Sequence, residues 1–169
     1  MSIINSVANV KKPFCEAGSC RKVFYSKKYD AIIKVPLYTK EKNAFQFNQY
    51  HTQTNNESFI WNEILTEQQK QFFPVIDYVY SEKYQGLVTI MNKVDFILGD
   101  RYALNNCLEE MSEDVLRNVL VKIANKYGLT FDMELFINTI WEVGISDLHE
   151  YNLGVYKNRL VIIDFGWSE

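Results

Sequence analysis

Two short segments near the carboxyl end carry the strongest pattern in the sequence: Ile145-Ser-Asp-Leu-His-Glu-Tyr-Asn152 and Leu160-Val-Ile-Ile-Asp-Phe-Gly166. Asp147 and Asn152 bracket a short turn in the first segment. Asp164 in the second segment follows an apolar run, which predicts a buried strand. Carboxylate and amide oxygens are ligands that Mg²⁺ accepts, and a positioned carboxylate can orient a hydroxyl for attack on a phosphate. The two segments are therefore candidates for a turn that binds Mg²⁺ and positions a base, although such carboxylates more often cap turns or lie on the surface.

The sequence upstream of these segments predicts two sets of antiparallel strands with a helix between them. β-Branched and aromatic runs bounded by Gly and polar turns are typical of such strands. The predicted helix covers residues 55–71 and carries an apolar stripe of Ile60, Trp61, Ile64 and Leu65, which Phe72 closes. The polar stretch 37–54 predicts a loop. The predicted strands are 14–20, 21–25, 31–35, 73–80 and 86–91.

Lys34 is the one charged residue in the apolar strand Ala31-Ile-Ile-Lys-Val35. An edge-strand lysine that faces water is one interpretation of this pattern. The other is a lysine aimed at the phosphates of a ligand, as in the V-A-I-K strand of protein kinases. The strand alone leaves both interpretations open.

Two glutamates of the predicted helix are candidates for pairing with this lysine. Glu57 shares a helix face with Ile60, Trp61 and Ile64, which predicts that its side chain turns inward. Glu63 is the second candidate. Most helical glutamates are solvated, so neither position indicates a function by itself.

Further along the chain the sequence predicts two helices. Ser112 is a favourable N-cap, and Gly128 is a plausible end for the first of them. Residues 131–141 are predicted to form the second helix. The predicted buried face of the first helix consists of Val115, Leu116, Val119, Leu120, Ile123 and Tyr127.

Composition excludes several classes of function. The chain has 169 residues, 47% of them hydrophobic, and a net charge of −3, which disfavours a general nucleic-acid-binding surface. Its three cysteines and two histidines have no spacing typical of a zinc site, so we expect reduced thiols. We find neither a membrane-spanning apolar run nor a signal peptide, and we expect a cytoplasmic protein that binds no membrane.

The order of these signals resembles the protein kinase-like superfamily over residues 14–166. The strand lysine, the helix glutamate and a hairpin are followed by helices, by D-L-H-x-x-N and by I-D-F-G. The D-L-H-x-x-N form of the loop that begins at Asp147 resembles that of bacterial and phage branches of the superfamily. Gln53-Thr-Asn-Asn-Glu57 also resembles their Q-N-x-x-E helix start, with Thr54 in place of Asn.

The resemblance implies an α+β fold in one domain, residues 1–169. Residues 14–91 would form an N-lobe with a five-stranded antiparallel sheet and one helix. Residues 95–169 would form a small, mainly helical C-lobe. The sequence stops at Glu169, so we expect this lobe to be truncated, without the substrate-binding helices of protein kinases.

The resemblance also assigns roles to individual residues. Lys34 would hold the ATP phosphates with Glu57 as its partner, and Asp147 would align the substrate hydroxyl. Gly18 lies at the phosphate-covering hairpin, which lacks the G-x-G-x-x-G pattern of kinases. His149 would make a structural hydrogen bond or orient the site. Magnesium ligands would be Asn152 and Asp164, and the segment that meets the adenine would be Met91 to Val94, including Lys93.

Two functions from different classes follow from the resemblance. The first is an ATP- and Mg²⁺-dependent phosphotransferase that acts on a protein or a small hydroxyl compound. The second is a pseudokinase-like binding module, including one encoded by a phage, that modulates a host protein without catalysis. The poor glycine loop and the expected truncation favour the second, whereas the complete set of site residues favours the first.

Overall fold

The structure, a computed structural model of the chain, describes residues 21–36, 44–97, 112–145 and 148–166. It confirms a mixed α+β architecture with antiparallel sheets and three α-helices in this part of the chain. The chain divides into two compact units. The first contains Met1–Ser58 and Val75–Lys93, and the second contains Phe59–Pro74 and Val94–Glu169.

The first unit has a four-stranded antiparallel sheet within its described residues. Its strands are β1 (Arg21–Ser26), β2 (Ala31–Pro36), β3 (Val75–Ser81) and β4 (Gly86–Asn92), in the spatial order β1-β2-β4-β3. All four agree with the strands predicted from β-branched and aromatic runs. The fifth strand predicted for this sheet, residues 14–20, lies outside the described residues.

Apolar side chains on these strands form the core of the first unit. Val79 and Tyr84 pack against a buried cluster of four residues, namely Phe24, Ile33, Val35 and Val88. Ile33 and Val35 alternate with Lys34, so they lie on the opposite face of β2 from the lysine. The opposite face of the sheet carries Lys34 and Thr89 together with the buried apolar side chains of Ile32 and Met91.

A 16-residue helix, α1 (Ala44–Phe59), begins eleven residues before the predicted start, where the sequence predicted a loop. It continues into a π-helical turn, Ile60–Ile64, and a separate 3₁₀ turn follows at Gln69–Phe72. The prediction of one helix over 55–71 was therefore wrong. Its apolar stripe is buried at Leu65 and Phe72, whereas Ile64 is exposed and the π-helical turn contains no buried residue.

The second unit contains two helices and a three-stranded antiparallel sheet among its described residues. The helices are α2 (Glu113–Tyr127) and α3 (Met133–Val143). The strands are β5 (Asp95–Phe96), β6 (Leu153–Tyr156) and β7 (Arg159–Ile162), in that spatial order.

Helix α2 begins and ends as the sequence predicts. The Ser112 hydroxyl accepts a hydrogen bond from the Val115 amide, which satisfies one of the donors that a helix leaves open at its start. Gly128 ends the helix at φ 62°, a left-handed conformation that glycine adopts without a Cβ clash. The predicted buried face is confirmed at Leu116, Leu120 and Ile123 and wrong at Val115, whose side chain is exposed.

The core of the second unit is built from aliphatic side chains of α2, α3 and β7 and from a cluster of aromatic rings. Phe72 packs edge-on against Phe136 with ring centroids 5.1 Å apart, and Phe131 contacts both. Among the described residues, no helix is long and apolar enough to cross a membrane.

Candidate functional site

Lys34 is a buried lysine in the interior of a sheet. Strand β2 lies between β1 and β4, and Lys34 is only 7% exposed. The interpretation of Lys34 as an edge-strand residue that faces water is therefore wrong. Its register partners are Val23 on β1 and Thr89 on β4, and side chains directly opposite each other project from the same face.

Glu57 is the helix carboxylate of the first unit. Its side chain is 1% exposed, so the predicted inward orientation is confirmed. Glu63, the second candidate, is exposed. The Thr89 hydroxyl lies 3.5 Å from Glu57 Oε2, which makes it a long hydrogen-bond donor to the carboxylate. Since Thr89 faces Lys34 across the ladder, the Glu57 carboxylate lies on the lysine's side of the sheet.

Arg21 binds Glu57 through both carboxylate oxygens. Its Nη1 donates to Oε2 at 2.5 Å and its Nη2 donates to Oε1 at 3.0 Å. Such a fork-to-fork pair fixes the orientation of the carboxylate as well as its position. Both side chains are buried, at 4% and 1% exposure.

Arg21 was not among the site residues predicted from the sequence. It lies two positions before Val23, so it projects from the same face of the sheet as Val23 and Lys34. The period of two along β1 is visible in the sequence, but the register between β1 and β2 is not. The register decides that the face carrying Arg21 is the face that carries Lys34.

His51, another buried polar residue of α1, packs against the backbone of β4. An added Cβ at Gly86 would overlap the His51 imidazole. Burial lowers the pKa of His51 below its usual value, since the charged form loses water contact. The helix that carries Glu57 therefore contacts the sheet through a neutral histidine at this position.

Asn152 and Asp164 lie at the same end of the β6–β7 hairpin in the second unit. Leu153 pairs with Ile162, and the Ile163 amide donates to the Asn152 carbonyl at 2.8 Å. Asn152 thus immediately precedes β6, and Asp164 follows the partner strand by two residues. Asn152 is buried and Asp164 is half-buried.

Ring packing anchors the Asp-Phe-Gly segment within the second unit. Phe165 is buried, and its ring centroid lies 4.5 Å from that of Phe73. This contact fixes the residue next to Asp164. The chain at this point is therefore ordered by core packing rather than by the hairpin alone.

His149 makes the structural hydrogen bond that we expected from the sequence. Its Nδ1 accepts from the Tyr151 amide at 3.2 Å and caps the short 3₁₀ turn Glu150–Asn152. The Asn152 amide in turn donates to the His149 carbonyl at 2.9 Å. These bonds define the backbone that leads into Asn152.

The remaining predicted site residues are placed as follows. Asp147 and Gly18 lie outside the described residues. Met91 is buried in β4, opposite Ile32. Lys93 is exposed, with its Nζ 5.6 Å from the centroid of the Tyr25 ring. The boundary between the two units falls between Lys93 and Val94, inside the segment predicted to meet the adenine.

The donor chemistry of Asn152 and Asp164 fits Mg²⁺, which takes hard oxygen ligands and needs few from the protein. Over the described ranges, no group of three or more His, Cys, Asp and Glu side chains is placed to hold a metal ion. The predicted magnesium pair contains only one such residue, so it does not depend on a cluster of that kind.

Comparisons of the chain with protein-family models, with curated proteins and with solved structures gave no match.

Proposed function

We propose that the chain is an ATP- and Mg²⁺-dependent phosphotransferase acting on a hydroxyl group. The observation that carries the proposal is the buried Glu57 carboxylate on the face of the sheet from which the buried Lys34 projects. Burial of a lysine and a glutamate costs free energy, so such groups need a role or partners that offset it. A lysine held by a helix carboxylate is the phosphate-binding arrangement of kinase-like enzymes.

The second unit contributes the other groups that the proposal needs. Asn152 and Asp164 lie together at the end of one hairpin and offer oxygen ligands for Mg²⁺. Bound Mg²⁺ would neutralise part of the negative charge on the ATP phosphates. The segment Met91 to Val94 would contact the adenine, and Gly18 would lie beside the phosphates.

In the proposed reaction, a substrate hydroxyl oxygen forms a bond to the γ-phosphorus of ATP. The bond from that phosphorus to the bridging oxygen breaks, and ADP leaves with the electron pair. The hydroxyl proton passes to the Asp147 carboxylate, which also aligns the hydroxyl for attack. Lys34, oriented by Glu57, holds the phosphates throughout.

Replacement of Asp147 by alanine tests this proposal directly. We expect transfer of radiolabelled γ-phosphate from ATP to fall by roughly 10²–10⁴-fold, the usual contribution of a positioned base. The acceptors in the assay are the chain itself, casein and glycerol. Asp114→Ala is the matched control, because Asp114 is an exposed aspartate of α2. Transfer that is equally fast in Asp147→Ala and in the unmodified chain would contradict the assignment.

A pseudokinase-like binding module is the second candidate, and one observation favours it. Arg21 occupies both oxygens of Glu57, so the buried carboxylate is stabilised by the protein alone. A module that modulates a host protein by contact would need this ion pair for its fold and would not need nucleotide. The two candidates therefore differ in whether Mg·ATP binds.

A further inference from the structure

Arg21 fixes the orientation of the Glu57 carboxylate in addition to balancing its charge. Guanidinium and carboxylate meet through two hydrogen bonds, of 2.5 Å and 3.0 Å, so the carboxylate plane cannot rotate without breaking one of them. A lysine at this position would hold the carboxylate through a point charge and would leave its orientation undefined.

The strand register relates this pair to Lys34. Arg21 lies opposite Pro36, and Val23 lies opposite Lys34, so Arg21 and Lys34 belong to the same face of adjacent strands. Thr89, on the other side of Lys34, contacts the same carboxylate oxygen that receives the shorter Arg21 bond. The carboxylate is thus held from both strands that flank β2.

We propose that Arg21 is a positioning residue, which fixes the Glu57 carboxylate so that Glu57 orients Lys34 toward the phosphates of bound ATP. This inference rests on the function proposed above. A carboxylate has about four lone-pair sites, so two bonds from Arg21 leave acceptor capacity for the lysine. Arg21 then acts on the nucleotide only through Glu57 and Lys34.

A double-mutant cycle on Mg·ATP affinity tests this inference. The four proteins are the unmodified chain, Arg21→Met, Lys34→Met and the double variant, and isothermal titration calorimetry gives the dissociation constant of Mg·ATP for each. We expect each single variant to bind roughly tenfold more weakly, the effect of one lost charged hydrogen bond. The double variant should bind about as weakly as Lys34→Met, because Arg21 has no lysine left to position.

A purely structural role for Arg21 predicts a different result. The factors by which Arg21→Met and Lys34→Met weaken Mg·ATP binding would then multiply, and the double variant would bind roughly a hundredfold more weakly than the unmodified chain. That outcome would overturn the role of Arg21 while leaving the proposed function in place. Failure of the unmodified chain to bind Mg·ATP would overturn both.

Two further variants protect the experiment against general loss of folding. Arg117→Met removes an arginine that pairs with Glu113 and Glu134 elsewhere in the chain, and we expect unchanged Mg·ATP affinity. Arg21→Lys keeps the positive charge but loses the fork, and it takes the place of Arg21→Met in the same cycle if the methionine variant does not fold. The two outcomes of the cycle keep the same meaning.

Discussion

At the scale of single residues, the buried Glu57 carboxylate is the group with the largest energetic consequence. An ionised carboxylate that leaves water loses several kcal/mol of hydration, even after the protein relaxes around it. Arg21 and Thr89 replace that hydration with hydrogen bonds to the carboxylate oxygens. The fold of the first unit therefore depends on the charge of residue 57 as well as on its size.

Replacement of Glu57 by glutamine should destabilise the chain by about 3–5 kcal/mol. The substitution keeps the shape of the side chain but removes the negative charge that faces the buried Arg21 guanidinium. Urea unfolding followed by circular dichroism measures this as a lower midpoint with an unchanged slope. An effect this large is a substantial part of the total stability of a typical domain.

Glu134→Gln is the control for this prediction. Glu134 also binds an arginine, Arg117, but its side chain is 67% exposed. Solvent screens such surface pairs, so the urea midpoint should change little. Equal shifts of the urea midpoint for Glu57→Gln and Glu134→Gln would contradict the prediction, because the buried Arg21–Glu57 pair would then affect stability no more than an exposed pair.

Residue patterns alone predicted part of this constellation. Lys34 stands out as a charge in an apolar strand. The inward orientation of Glu57 was predicted correctly, although the stripe of Ile60, Trp61 and Ile64 that indicated it is not buried. Arg21 could not be found in this way, because only the β1–β2 register places it on the face of the sheet that carries Lys34. Long-range pairing decides which residues meet, and a single sequence does not display it.

At the scale of elements, helix α1 shows why periodicity misses some buried helices. Over residues 51–59, the part of α1 whose burial the structure describes, four residues are buried and all of them are polar, namely His51, Gln53, Thr54 and Glu57. Hydrophobic periodicity detects a helix through apolar residues at three- and four-residue steps. A helical segment that buries polar groups gives no such pattern, which explains why residues 51–54 were predicted as part of a loop.

Local signals succeeded where short-range chemistry dominates. The strands of the first unit followed the polar turns and the β-branched runs, and α2 followed its Ser112 cap and Gly128 end. These features depend on residues within a few positions of one another. Burial of Val115 was predicted wrongly because the extent of a helix's buried face depends on what packs against it.

Replacement of Gly86 by alanine should separate α1 from β4 and destabilise the first unit. The new methyl group would overlap the His51 imidazole, and overpacking of this kind costs roughly 1–3 kcal/mol. Urea unfolding measures the loss. The unfolding is measured without nucleotide, so the result does not depend on the proposed function.

The double variant Gly86→Ala with His51→Ala is the matched test of this contact. Removal of the imidazole makes room for the methyl group, so the effect of Gly86→Ala should largely disappear in the His51→Ala background. A destabilisation of the same size in both backgrounds would place its cause in the backbone of β4 rather than in the His51 contact.

At the scale of the whole molecule, the proposed function draws on residues of both units. Lys34 and Glu57 belong to the first unit, and Asn152 and Asp164 belong to the second. The order of elements along the chain predicted a mixed α+β fold, and the structure confirms that class. The kinase-like arrangement remains a prediction, because element order fits several folds and the function must be tested through the site.

Thermal unfolding with and without Mg·ATP tests whether the proposed site residues contribute to nucleotide binding. A ligand at about 100 times its dissociation constant adds roughly 2.7 kcal/mol, which for a chain of this size raises the unfolding midpoint by about 5–10 °C. Lys34→Met in the first unit and Asp164→Asn in the second should each reduce that rise. In the unmodified chain, EDTA should also reduce the rise in midpoint. In the presence of EDTA, Asp164→Asn should reduce the rise little further, because the proposed role of Asp164 requires Mg²⁺.

Lys126→Met, at an exposed lysine near the end of α2, is the control and should keep the full rise in midpoint. A rise that is lost in Lys34→Met but unchanged in Asp164→Asn would restrict nucleotide binding to groups of the first unit and would remove the magnesium role of Asp164. The absence of any rise at millimolar Mg·ATP would favour the binding module over the phosphotransferase, since a kinase-like enzyme must bind its phosphate donor before it can transfer the phosphate.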